Sequence, residues 1–304
     1  MSAPAEKLIR RDFPLARLTT IGTGGASEYF ARAGSSEDLL TLLSWAREHG
    51  ARVAIVGSGS NLLVADEGVR GLAIKLDRAL AAIELEGARL RCGGGARLPA
   101  VAARAAGAGL SGIEFGVNIP GTVGGAVRMN ANAYGGELAR VLEFVEVAGA
   151  DGIERREPAQ LGLGYRRSNL RDGEVVAAAS LLLAPSDPRS VKATLVDMRG
   201  RRHEAQPRGI RTFGSTFKNP SDPRAEGRSA GLLLAQAGCN GLAVGGARFA
   251  PKHANFIENT GGASTADVLA LMAEGRRRVR ELCGVELEPE VHTLGDVRFA
   301  WRQG

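Results

Sequence analysis

Hydrophobic and polar positions recur at two periods along the chain. Short apolar runs of strand type stand at 28–31, 53–56, 71–76, 81–86, 88–92, 141–148, 153–157 and 175–183, with glycine or polar turns between them. The runs at 141–148 and 153–157 predict a hairpin across Ala150-Asp151-Gly152. Helical spacing occupies 35–49, 98–106, 189–200, 229–237 and 265–283. In the first helix Leu39, Leu42, Leu43 and Trp45/Ala46 share a face, Ser35-Ser36-Glu37-Asp38 supplies the cap and Gly50 the stop. In the last, Ser264 and Asp267 make the cap, and Val268, Leu271/Met272, Val279 and Leu282 predict a buried stripe. Arg276, Arg277, Arg278 and Arg280 then read as its solvated face. Pro185 and Pro188 interrupt the pattern and set the expected domain boundary at 186/187. The first part itself reads as two subdomains, about 1–77 and 78–186, followed by a domain over 187–304.

Two glycine stretches do not fit either period. Gly57-Ser58-Gly59-Ser60-Asn61 ends the apolar run 53–56, and successive backbone N–H groups in such a turn form a concave site for a phosphate. A Rossmann fingerprint is the specific version of that idea, with Asp77 about twenty residues on. It fails because Leu62 stands where the third glycine should be. The gap to the next apolar run is also too short and too broken by Asp66, Gly68 and Gly71 for a helical crossover. The second stretch, Phe115 to Ala126, holds four glycines and Pro120 and marks a shaped loop.

Composition narrows the field. A chain of 304 residues with 44% hydrophobic and 24% charged residues is an ordinary globular one, long enough for two domains. No apolar run approaches a membrane span, and the charged start lacks a signal-peptide core, so a cytoplasmic location is expected. Cys92, Cys239 and Cys283 are odd in number and widely separated, which suits reduced structural thiols. Four scattered histidines predict no metal site. The net charge of +6 suits small anionic ligands; with aromatics at 5% and no recognition module, nucleic acid is not expected.

The G-x-S-x-G match at 57–61 fails at Asn61, which removes a serine-hydrolase reading. Three polar clusters remain: Tyr165-Arg166-x-Ser168, Ser215 within Gly-Ser-Thr-Phe-Lys-Asn-Pro, and Glu290 within Leu-Glu-Pro-Glu-Val. Each is also compatible with ordinary turn chemistry. Residue patterns alone therefore lead to a two-domain α/β protein that binds a phosphorylated ligand.

Seven motifs in register carry a resemblance: Thr19–Gly25, Gly57–Asn61, Ile119-Pro-Gly-Thr-x-Gly-Gly-Ala126, Tyr165-Arg-x-Ser168, Gly214-Ser-x-Phe-Lys-Asn-Pro220, Lys252-His253 and Glu288-Pro-Glu290. Over about Leu18 to Gly295 the chain resembles the UDP-N-acetylenolpyruvoylglucosamine reductase family of peptidoglycan synthesis. The spacing from Arg166 to Ser215 looks like the family's shorter branch, which lacks a tyrosine-bearing loop. The resemblance implies an α+β fold, with a two-subdomain FAD-binding domain of the vanillyl-alcohol-oxidase (PCMH) type followed by an α+β substrate-binding domain. It implies non-covalent FAD, held by Gly57, Ser58, Gly59, Ser60, Asn61, Ile119, Pro120, Gly121, Thr122, Gly124, Gly125 and Ala126, with Tyr134 close by.

The implied reaction carries a hydride from NADPH, through FAD, to the enolpyruvyl ether of UDP-N-acetylglucosamine. Arg166 would hold the substrate carboxylate, Ser215 would protonate C2, and Glu290, if protonated or sharing a proton, would be a second stabiliser of the developing charge. Lys218, Asn219 and His253 would contact substrate. Asn118, Arg248 and Gly262 depart from the family pattern, and Arg248 puts the contacts around 245–253 in question. A sugar or alcohol oxidase on the same cofactor fold is the alternative. Many such oxidases attach FAD through a histidine in the first glycine loop, and 57–61 has none. A non-catalytic nucleotide-binding relative would not need Arg166, Ser215 and Glu290 intact.

Overall fold

The computed structural model describes residues 3–302; Met1, Ser2, Gln303 and Gly304, the ends of the expected domains, lie outside the described residues. The chain forms two compact units. The first comprises 1–12, 29–58 and 70–202, the second 13–28, 59–69 and 203–304. These units cut the chain differently from a division at 186/187. Helix Pro188–Ala205 belongs to the first unit as far as Arg202, and two early segments join the C-terminal part.

The first unit has two hydrophobic cores. One gathers Leu39, Leu42, Leu43, Trp45 and Ala46 of helix Ser36–Glu48 against Leu72, Ile74 and Leu76. These last belong to a four-stranded sheet in the order 9–14, 26–33, 69–76, 53–55. Strand Ile9–Pro14 was not legible, because Arg10, Arg11 and Asp12 hide its alternation. Strand Val53–Ile55 runs parallel to Val69–Leu76. The short gap that argued against a crossover does make one, but with no helix in it. The connection passes through strand Leu62–Val64, which pairs in parallel with His292–Leu294 in the second unit. The rejection of a Rossmann unit stands.

The other core of the first unit is a five-stranded antiparallel sheet in the order 152–156, 142–149, 175–182, 89–93, 83–86. Its central strand Val175–Leu182 is buried along nearly its whole length. Helix Leu98–Gly107 packs on it through Leu98, Val101, Ala102, Ala105 and Ala106. Burial pushes the thiol of Cys92 up to about 12, so it is an inert core residue.

The second unit is organised on helix Thr265–Cys283, with the predicted Ser264/Asp267 capping box in place. The carboxylate of Asp66 adds to that cap, accepting from Thr265 N at 2.8 Å and Ala266 N at 2.9 Å. This is one reason why 59–69 belongs here. The buried stripe departs from expectation at two positions. Leu282 is 50% exposed, because the 3.6-residue period carries the stripe from Val279 to Cys283 instead. Arg276 is not on the solvated face. Its side chain is 16% exposed, pairs with Glu286, donates to Leu287 O at 3.2 Å and lies over the Trp301 ring. Arg277 and Arg280 do face outward, while half-buried Arg278 pairs with Glu274 and donates to Gly238 O at 3.2 Å. Among the described residues no helix is long and apolar enough to cross a membrane, and no group of three or more His, Cys, Asp or Glu side chains could hold a metal ion.

Candidate functional site

In the first unit three backbone turns come unusually close. Val56 N still bonds Ile74 O at 2.9 Å, and the chain then turns at Gly57, where a Cβ would sit 2.8 Å from Thr122 Oγ1. Gly94 follows strand Arg89–Gly93, donates to Ala177 O at 2.8 Å and has no room for a Cβ against Val176 O. Gly124 N donates in turn to Gly94 O at 2.8 Å. Between these turns lies a cavity of about 110 Å³, whose lining includes Gly57, Gly95, Thr122, Gly125, Lys75 and Arg128. Backbone walls with two cationic side chains suit a phosphate-bearing ligand such as FAD.

The predicted cofactor residues do not all face this cavity. Gly57, Thr122, Gly124 and Gly125 line it. Ala126 is buried in the apolar core and Ile119 packs on that core, while Gly121 O accepts from Leu98 N at 3.0 Å. Gly57 and Ser58 belong to the first unit, Gly59, Ser60 and Asn61 to the second. Gly59 has φ +68°, and a Cβ there would run into Leu18 O. Thr20, from the first glycine-rich turn, donates to Gly59 O through N–H and hydroxyl, both at 3.1 Å.

Two hairpins, also in the first unit, carry Tyr134 and Arg166. Gly164 and Arg167 exchange backbone hydrogen bonds of 3.1 and 3.2 Å, leaving Tyr165 and Arg166 at the tip. Arg166 Nη1 donates to Asn132 Oδ1 at 3.2 Å, and its guanidinium lies 5.2 Å from the centre of the Tyr165 ring. Asn132 opens the second hairpin, Asn132–Ala133 with Gly136–Glu137, whose tip holds Tyr134 at 42% exposed. Asn130, 1% exposed, ties the two together. It donates to Glu137 Oε1 at 2.5 Å and Gly164 O at 3.4 Å, and accepts from Ala139 N at 3.1 Å. Asn130, Tyr134 and Arg166 have φ of +39°, +51° and +54°, half of the six positive-φ non-glycine residues among those described. Such strain costs of order 1 kcal/mol or more at each position and gathers at functional sites. The Ser168 hydroxyl beside them is buried without a hydrogen-bond partner.

In the second unit the Ser215 and Glu290 segments are brought together. Lys218 N donates to Glu288 O at 2.8 Å and Glu290 N to Thr216 O at 2.9 Å, so Phe217 faces Pro289. That is the non-hydrogen-bonded position of an antiparallel pair, where proline's missing N–H costs nothing. Asn255 braces the same segment from its other side. Its backbone carbonyl accepts from Thr216 N at 2.8 Å, and its amide both accepts from Phe217 N and donates to Phe217 O at 2.9 Å. The side chain of Asn61, from the first glycine loop, donates to Glu290 O at 3.2 Å.

The other predicted substrate residues are more occupied. Lys218 lies 3.5 Å from Glu288, and Asn219 Oδ1 accepts from Ala230 N at 3.1 Å, which ties it to helix Ala230–Gln236. His253 stacks edge-on against Phe256, and burial lowers its pKa, so the ring stays neutral. Arg248 pairs with the buried Glu258 across strands, at 2.7 Å from its Nε. Asn130, Asn255, Lys75 and Arg128 were missed by sequence reasoning, while Asn132 entered it only as the start of the stretch Asn132-Ala-Tyr-Gly135 around Tyr134. Asn255 had a signal, lying two residues beyond the Lys252-His253 motif.

Residues 27–156 match the FAD binding domain profile, and residues 206–294 match that for the UDP-N-acetylenolpyruvoylglucosamine reductase C-terminal domain. The chain is 42% identical over 295 residues to the UDP-N-acetylenolpyruvoylglucosamine reductase of Rubrobacter xylanophilus, covering 96% of both chains. It is 40% identical to that of Heliobacterium modesticaldum, covering 95% of this chain and 94% of the relative. The crystal structure of the reductase from Thermus caldophilus superposes with a TM-score of 0.81 at 36% identity, covering 94% of this chain and 99% of that one. With relatives this similar along its whole length, and with an FAD-binding domain followed by the reductase C-terminal domain, the chain belongs to the UDP-N-acetylenolpyruvoylglucosamine reductase family.

Proposed function

We propose that the chain is an NADPH-dependent, FAD-containing oxidoreductase that reduces the enolpyruvyl ether of UDP-N-acetylglucosamine to UDP-N-acetylmuramate. The observation that carries this reading is the pairing of the Ser215 and Glu290 segments in a chain that runs the full length of its reductase relatives. Such a reaction belongs to peptidoglycan precursor synthesis, hence to cell wall biogenesis, cell shape and division. Its place is the cytoplasm, where NADPH and UDP-activated sugars are held.

The bound FAD supplies a two-electron carrier between NADPH and the terminal carbon of the enol. The chain's own residues must bind the carboxylate of the ether, stabilise charge as it builds on the carboxylate and C2, and give C2 a proton. Arg166 fits the first task, since a guanidinium fork matches a carboxylate and is held by Asn132 and Tyr165 before substrate arrives. Ser215 delivers the proton. A serine hydroxyl is a weak acid, so this works only as C2 becomes strongly basic. Glu290, if protonated or sharing a proton, would act as a second stabiliser of the developing charge. Lys218 suits an anionic part of the substrate. Tyr134, Asn219 and His253 complete the binding surface in this reading, His253 as a neutral ring.

The test is spectroscopic. The purified chain should be yellow and lose its flavin on acid precipitation. Under nitrogen NADPH should bleach it, and the enolpyruvyl sugar should restore the colour faster than oxygen does. A colourless protein, or reoxidation by oxygen as fast as by the sugar, contradicts the reductase reading; the second result favours an oxidase.

A further inference from the structure

The cavity between the glycine turns holds charges that no motif pointed to. Three charged side chains line it: Lys75, Arg128 and Glu174. Glu174 is already committed, accepting from Arg156 Nη1 at 3.0 Å and from Arg171 N at 2.8 Å. Arg128 donates only to carbonyls, those of Arg171 at 3.2 Å and Glu174 at 3.5 Å. Half-buried Lys75 donates to Gly57 O at 2.5 Å, at the point where the first glycine loop begins. Asp77, two residues on, is paired with Arg32 at 3.0 Å. Among the described residues, neither Lys75 nor Arg128 forms an ion pair with a carboxylate, and Asp77, which still acts on Lys75, is itself committed to Arg32. Carbonyl groups solvate a cation without neutralising it, so the cavity keeps a net positive charge within backbone walls. An anion entering there gains more than it would at an exposed lysine, because less water screens the pair.

We propose that Lys75, seconded by Arg128, is the charge anchor for the diphosphate of FAD. This rests on the flavoenzyme reading above and adds to it a residue outside both glycine loops. Its position follows from the sheet. Strand Val69–Leu76 runs parallel to Val53–Ile55 with Ile74 opposite Ile55, so Lys75 is the next residue toward the turn at Gly57.

The full-length chain, stripped of flavin at low pH in concentrated bromide and checked for its fold by circular dichroism, is titrated with FAD. ADP and adenosine serve as competitors. Replacing a charge-assisted contact by Lys75→Met should weaken FAD and ADP by roughly 10- to 100-fold. Adenosine, which lacks phosphate, should stay within about twofold, and Lys75→Arg should recover most of the loss. The wild-type chain supplies a second readout that needs no substitution. Burial, and then the nearby Arg32 and Arg97, lower the Lys75 pKa from 10.5, with Asp77 opposing them. FAD and ADP affinity should therefore fall as alkaline pH approaches that lowered value, and adenosine affinity should not. Equal losses of ADP and adenosine in Lys75→Met would mean that Lys75 only holds the Gly57 turn, and the proposal fails. Unchanged FAD affinity in a folded Lys75→Met chain overturns it as well. A wild-type chain that binds no FAD would instead sink the flavoenzyme reading, and this proposal with it.

Discussion

Arg166 combines three features that a surface arginine lacks: a left-handed backbone, a hydrogen bond to Asn132 and a ring beneath its guanidinium. Lysine keeps the charge but not the fork. Arg166→Lys should slow reoxidation of the reduced flavin by the enolpyruvyl sugar by about 10²–10³-fold while flavin reduction by NADPH is little changed, read by stopped flow. Asn255 acts purely through backbone. Asn255→Ala leaves Phe217 N and O unpaired in the interior and should cost about 2–5 kcal/mol in urea unfolding. A third residue sets an acid limit. Hydrogen bonds from Arg156 hold Glu174 down at about 2, against 4.5 for an ordinary glutamate. Its contribution is complete above pH 4.5 and lost as pH falls toward 2, so Glu174→Gln should flatten the stability profile in that window. Sequence marked Arg166 because its motif is local. It missed Asn130 and Asn255, because a buried asparagine that satisfies distant backbone groups leaves no periodic trace.

At the scale of elements, the amphipathic pattern set helix Thr265–Cys283 to the residue and gave the hairpin of Leu142–Gly149 with Gly152–Arg156. It failed where a contact outside the element decides. Gly275 weakens the helix's own propensity, yet a Cβ there would lie 2.7 Å from Phe249 Cζ and 3.1 Å from Leu234 Cδ2, so the glycine lets strand Ala247–Phe249 and helix Ala230–Gln236 approach. Gly275→Ala should gain helix propensity and still destabilise by about 1–3 kcal/mol, measured as a shift in the urea midpoint. The Pro289 segment shows the reverse case. A proline is ordinarily confined to sheet edges because it lacks a donor, whereas the register with Phe217 makes that lack harmless and allows Glu290 beside Thr216. The parallel pairing of Val53–Ile55 with Val69–Leu76 was equally hidden, since its connection borrows a strand from the second unit.

Across the whole molecule, FAD-binding and C-terminal domain matches succeed one another along the chain, but the compact units exchange segments. Segment 59–69 illustrates why. Its Asp66 caps the long helix and its Asn61 bonds the Glu290 carbonyl, contacts that no linear reading of charge or period could supply. The opening glycine loop thus serves two ends: Gly57 at the cavity with Lys75, and Asn61 at the Glu290 segment. In the proposed mechanism, cofactor reduction and proton delivery to the substrate depend on different residues. Ser215→Ala tests it most directly, with both half-reactions followed anaerobically by flavin absorbance. Bleaching by NADPH should stay within a few-fold of wild type, and recolouring by the enolpyruvyl sugar should be slower by several orders of magnitude. Equal losses in the two half-reactions, or none in the second, would contradict it.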